Sequence, residues 1–224
     1  MARFYTAVLA AFVVLVSSAS ASADTILLAS LTNAQENPPT VPTTSTGAPR
    51  PASFGNAIFT LNDAMTAMTF SAAIVNIDFT GSQTADTFDN LVAAHIHASA
   101  TVTPTTNAGV VWGFFGAPFN DNNPNDVVIQ PFQGGVGGLI SGKWDLTEGN
   151  NTTLAAQLAN ILSGHAYINF HTTQFGGGEI RGQILSATPE PASMLLVGIP
   201  LAGLIRRAVR NRHASSTVQP SSIG

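Results

Sequence analysis

The feature that most limits what this chain can fold into is a period of two. In residues 68–77, Met68, Phe70 and Ala72 alternate with Thr69 and Ser71. That is the pattern of a strand with one buried face. Further β-rich runs lie at residues 25–31, 57–61, 93–97, 109–115, 139–146, 166–171 and 179–185. Clusters of Gly, Pro and Asn punctuate them and give the chain places to turn. One stretch departs from the pattern: residues 152–162 put Leu154, Leu158, Ile161 and Leu162 on one helical face. Asn151 reads as its cap and Gly164 as its stop. Residues 38–51, rich in Pro and Thr, read as an extended surface loop. Short strands at regular spacing with one short helix predict an all-β domain, an antiparallel Greek-key sandwich or barrel.

This domain spans residues 24–186, long enough for one real core. The chain has no cysteine, which removes thiol chemistry and zinc–thiolate sites. Within the domain the basic residues are Arg50, Lys143 and Arg181, facing eleven acidic ones. A surface that acidic repels phosphate backbones, so nucleic acid is excluded as a partner. Thr, Ser, Asn and Gly replace charges, as suits an extracellular β protein.

Both ends carry addresses. Arg3 precedes an apolar stretch at residues 7–16 and then small residues up to Ala23. Ala21-Ser22-Ala23 forms an A-x-A cleavage site, so residues 1–23 are predicted to be a signal peptide removed by signal peptidase before Asp24. At the other end, Pro189-Glu190-Pro191 breaks the chain. An apolar run at residues 192–205 follows, then Arg206, Arg207, Arg210 and Arg212, half of the eight Lys and Arg in the protein. Arginines after an apolar helix favour the cytoplasmic side. The run is 14 residues long, short of the ~20 that span a bilayer comfortably, and Pro200 interrupts it. Residues 187–213 resemble the PEP-CTERM sorting signal of Gram-negative bacteria, with residues 214–224 as a polar tail. The resemblance implies recognition by the membrane transpeptidase exosortase and a transient inner-membrane anchor through a short transmembrane helix. It also implies display at the cell envelope or release outside it.

The domain carries a second resemblance. Leu31-Thr32-Asn33-Ala34-Gln35-Glu36-Asn37-Pro38-Pro39 opens it, and Ala94-His95-Ile96-His97 lies in the middle. Gly142-Lys143-Trp144-Asp145-Leu146-Thr147 follows. Tyr167-Ile168-Asn169-Phe170-His171-Thr172 and Gly177-Gly178-Glu179-Ile180-Arg181-Gly182-Gln183-Ile184 close it. In order and spacing these are similar to the CHRD domain first named in chordin. That implies an all-β secreted module with no established enzymatic activity. The segment at residues 101–133 is longer and richer in Asn than the usual family linker.

The chemistry of the domain rests on its histidines. His95 and His97 are two apart, so on a strand both imidazoles leave one face. Such a pair can chelate Zn or Cu. His171 lies on a later strand, with Tyr167 and Asn169 on its face and Ile168 and Phe170 on the other. Glu179 and Arg181 share a face of the final run. If that run pairs with the His171 strand, His171 and Glu179 converge on His95 and His97 as a metal site. The alternative is a set of solvent-facing or hydrogen-bonded structural histidines beside a Glu179–Arg181 pair. His165, next to Gly164, reads as a surface residue.

Other motifs fail. Residues 137–143 have P-loop spacing, but Trp144 stands where the Ser or Thr is needed and a strand follows instead of a helix. Asp121, Asn123 and Asn125 imitate an EF-hand opening, yet Asp126 replaces the required Gly and Phe132 the closing Glu. The reading is therefore of an exported, non-enzymatic protein of the envelope or extracellular matrix. Exopolysaccharide or other biofilm components are the expected partners, and no cofactor is expected. A copper- or zinc-binding protein is the alternative.

Overall fold

The computed structural model describes residues 23–187. The cleavage-site residue Ala21 and the sorting-signal residues Pro189, Glu190, Pro191, Arg206, Arg207, Arg210 and Arg212 lie outside the described residues. Among the described residues, no helix is long and apolar enough to cross a membrane.

The chain forms β1 (Thr25–Thr32), a 3-10 turn (Asn33–Gln35), β2 (Phe54–Leu61), β3 (Ala67–Val75), β4 (Leu91–Ala98), β5 (Val110–Phe115), β6 (Val128–Pro131) and β7 (Gly137–Asp145). Helix α1 (Leu154–Leu162), β8 (Ala166–Thr172), β9 (Ile180–Gln183) and β10 (Leu185–Ser186) follow. All the strands join one antiparallel sheet in the order β5-β4-β8-β9-β1-β2-β3-β7-β6, with β10 also on β1. The predicted all-β class with one helix holds.

The sheet curls on itself. Trp112 belongs to β5 at one end and Trp144 to β7 near the other, yet their rings stack at 5.4 Å. Phe70 of β3 likewise meets Trp112 and Phe114 of β5. The alternation in β1–β3 supplies the apolar face that this curl encloses. Leu27, Ala29 and Leu31, then Ala57, Phe59 and Leu61, then Met68, Phe70, Ala72 and Ile74 fill the inner face, while Leu28 and Ile58 stay exposed. Burying each Leu, Phe, Met or Ile among them is worth about 1.5–3 kcal/mol.

Several local expectations shift. Helix α1 is capped by Thr153, whose side chain accepts from the Ala156 N–H, and not by Asn151, which has a φ of 55°. Gly164 ends it as expected, at φ 74°. The last run is split in two. Ile184 turns its N–H to the Ala166 carbonyl at 2.9 Å and is fully buried, so β9 stops at Gln183. Strand β6 has no counterpart in the sequence reading. It is a four-residue edge strand, Val128-Ile129-Gln130-Pro131, with no fully buried position, too short for an alternation to show in the sequence. His165 is half-buried.

Strands β4 and β8 differ from β1–β3. Every residue of β8 is buried, and all of β4 except Val92. Their inner face carries Ala94, Ile96, Ile168 and Phe170 within the core. Their outer face is polar and still covered, and there the site lies.

Candidate metal centre

Register builds the site. On β4 and β8, His95 stands opposite Asn169, His97 opposite Tyr167 and Ala93 opposite His171. With a side-chain period of two, the three histidines, Tyr167 and Asn169 share one face. Strand β9 adds Arg181, opposite Asn169. Segments before β5, after β5 and between β8 and β9 close over this face. His95, His97 and His171 are 4 %, 8 % and 6 % exposed, so the solvent-facing alternative is ruled out.

One ring nitrogen from each histidine lies within 4.8 Å of the other two. Each covering segment supplies one carbonyl to the opposite nitrogen. His95 Nε2 is 3.1 Å from the Ala117 carbonyl, His97 Nδ1 is 2.9 Å from that of Ala108, and His171 Nδ1 is 3.0 Å from that of Gly176. A carbonyl oxygen only accepts, so each of these nitrogens carries the hydrogen of its neutral ring. The lone pairs then fall on His95 Nδ1, His97 Nε2 and His171 Nε2.

With these tautomers the three lone pairs turn toward one another. His95 Nδ1 is 3.1 Å from His171 Nε2, and with this tautomer set no hydrogen stands between them. Moving the His95 hydrogen to Nδ1 would join the two rings but set the bare Nε2 against the Ala117 carbonyl. His97 Nε2 is buried with no hydrogen-bond partner in either case. Protonating His95 on both nitrogens would satisfy its two contacts. Burial, and then the neighbouring His171 and His97, oppose that and push its pKa down to about 3. Burial likewise takes His97 down to about 4, and His171 below the usual imidazole range. A cation taking all three lone pairs resolves each of these conflicts. An imidazole fixed by its other N–H on a backbone carbonyl is the usual support of a metal ligand. The donor set therefore fits copper or zinc.

Glu179 does not join this group. It is fully buried and binds Arg50, Ser53 and, at 2.6 Å, the Thr172 hydroxyl. Thr172 follows His171 on β8 and alternates to the other side. The Glu179–Arg181 pair of the structural alternative is likewise absent: Glu179 pairs with Arg50, because residues 43–50 fold back and bring Arg50 in from the predicted surface loop. Arg50 also reaches the Thr43 and Asn76 carbonyls.

Arg181 instead lies over the Tyr167 ring, Cζ 3.5 Å from its centre. It also donates to Asn107 Oδ1 and the Thr103 carbonyl. Tyr167 stacks in turn on His97, with centroids 4.7 Å apart and planes within 2°. Glu36 accepts from Asn169 Nδ2 and from the Asn37 N–H, and burial raises its carboxyl above the usual range. Gly178 makes room for this contact, since a Cβ there would lie 2.6 Å from Glu36 Oε2 and 2.4 Å from Asn169 Nδ2. Sequence reasoning missed Glu36 and Arg50 as partners, and the three carbonyls leave no trace in residue type.

Fold and site together define an all-β module with a buried three-histidine cluster on one sheet face. The CHRD domain profile matches residues 27–184, so the chain belongs to the CHRD domain family. No curated protein and no solved structure matches it.

Proposed function

We propose that this chain is an exported, non-enzymatic CHRD protein that holds one copper or zinc ion between His95, His97 and His171. The observation that carries the reading is the convergence of three ring nitrogens within 4.8 Å, each on a ring tied to a carbonyl by its other nitrogen. The bound ion would supply a Lewis acid for three lone pairs. The chain's own part is to orient the rings, hold their tautomers and exclude water. Elemental analysis of the protein purified without a His tag tests this. One equivalent of copper or zinc, lost in His97→Ala, is expected; no metal, and no heat of binding with either ion, refutes it.

The termini favour a second element of function. Ala21-Ser22-Ala23 and Pro189-Glu190-Pro191 followed by four arginines support export, exosortase sorting and a place among exopolysaccharide and matrix components. The intact mass of the native protein is expected to start at or within two residues of Asp24 and to lack the arginine tail. A mature chain that keeps Met1 and Arg212 refutes the export reading.

A further inference from the structure

The charge around the three histidines bears on which ion they hold. Their ligand atoms belong to neutral imidazoles and cancel none of a cation's charge. The rings are buried, so water offers little compensation. Of the nearby carboxylates, Glu179 is paired with Arg50, while Glu36 accepts from Asn169 and the Asn37 N–H and faces Arg181 without a hydrogen bond to it. Burial also favours the neutral form of Glu36. Arg181 is 1 % exposed and remains a cation. In the sheet, β4 and β9 flank β8 on opposite sides. His97 and Arg181 therefore approach Tyr167 from opposite faces, and the guanidinium sits one aromatic ring away from a ligand.

Resting on the metal-centre reading above, we propose that the site is built for monovalent copper, Cu(I), and that the buried Arg181 is a positioning residue that disfavours the divalent state. The cost of taking an ion out of water grows with the square of its charge, so a dipositive ion pays roughly four times as much as a monopositive one. Repulsion from Arg181 doubles between the two states. With no anionic ligand to offset either effect, both push toward the lower charge, while imidazole nitrogens suit copper in either state. Burial and charge around a site are established levers on its reduction potential.

The test uses the full chain without a His tag, loaded with copper under anaerobic conditions. A redox titration followed by the Cu(II) paramagnetic signal gives the potential of the bound ion. Chelator competition gives Cu(I) affinity against Zn(II). The potential is expected above that of the aqueous Cu(II)/Cu(I) couple, and Cu(I) is expected to outcompete Zn(II). Arg181→Gln is expected to cut the preference for Cu(I) about tenfold, a fall of about 59 mV for one electron. Arg181→Lys keeps the charge and is expected to keep the potential. If Arg181→Gln fails to fold, the potential of the unmutated protein decides. A potential at or below the aqueous couple, or Zn(II) displacing Cu(I), overturns the charge-state inference and leaves a metal centre standing. An unchanged potential in folded Arg181→Gln overturns the role of Arg181. Failure to bind Cu(I), Cu(II) and Zn(II) alike overturns the metal centre and this inference with it.

Discussion

His95 Nδ1 faces His171 Nε2 at 3.1 Å while the other nitrogen of each ring is held by a carbonyl. A buried pair of lone pairs this close is costly on its own and favourable around a cation. The contact is the geometric basis of the proposed metal centre, and the variants below separate a ligand set from three histidines that merely pack together.

Each ligand has its own expected outcome. His95→Ala, His97→Ala and His171→Ala are expected to weaken copper or zinc binding by ~100-fold or more, beyond the 10–100-fold typical of supporting residues. Calorimetry reads the change. His165→Ala is the control; that residue is half-buried at the end of the helix turn, outside the trio, and its loss is expected to leave affinity unchanged.

The carbonyl supports are tested through Gly113, which pairs with His95. A Cβ at this position would fall 1.8 Å from the Pro118 carbonyl and 3.1 Å from His95 Cδ2. Gly113→Ala must push away the turn that carries the Ala117 carbonyl. Metal affinity is expected to fall 10–100-fold with all three ligands intact. An unchanged affinity in the folded variant would show that the Ala117 contact does not orient His95.

Acid should destabilise the metal-free protein through the same rings. The folded pKa values lie low, about 3 for His95 and about 4 for His97, against ~6.5 in the unfolded chain. Below ~6.5 the unfolded state takes up protons that the folded state refuses. Stability from these groups is full above that pH and declines as pH falls toward 4. Asp121, raised to about 6 by burial and then by its neighbours Asp126 and Glu148, works in the opposite direction over the overlapping range. Urea midpoints at pH 7 and pH 5 are expected to differ less in a His95→Gln, His97→Gln, His171→Gln triple variant than in the parent. An equal acid loss in both proteins would mean that these rings are not held neutral by burial.

Glu179→Gln addresses the buried ion pair beside β9. It leaves Arg50, whose side chain is 6 % exposed, without its counter-charge. Such a change typically costs about 3–5 kcal/mol. Equilibrium denaturation should show that loss, while metal affinity should persist in the folded fraction because Glu179 lies outside the trio. Loss of metal binding in a fully folded Glu179→Gln protein would return Glu179 to the ligand set.

The sequence by itself determined most of the strands, the helix and one face of the site. Alternation in Met68, Phe70 and Ala72 fixes which face is buried, because side chains on a strand leave opposite sides in turn. The same rule put His95 and His97 together and sent Ile168 and Phe170 into the core. Thr153 took the cap from Asn151 because its side chain meets the Ala156 N–H, and β6 went unread because it is four residues long and only Ile129 packs against the core. What only the tertiary structure decided is burial of the polar face and the choice of partners. The histidines end up dry because three separate segments fold over them and supply carbonyl acceptors for their ring N–H groups, and backbone carbonyls look the same in every sequence. Glu179 chose Arg50 over Arg181 because the loop carrying Arg50 returns to the start of β9, a contact across 129 residues that no local pattern encodes.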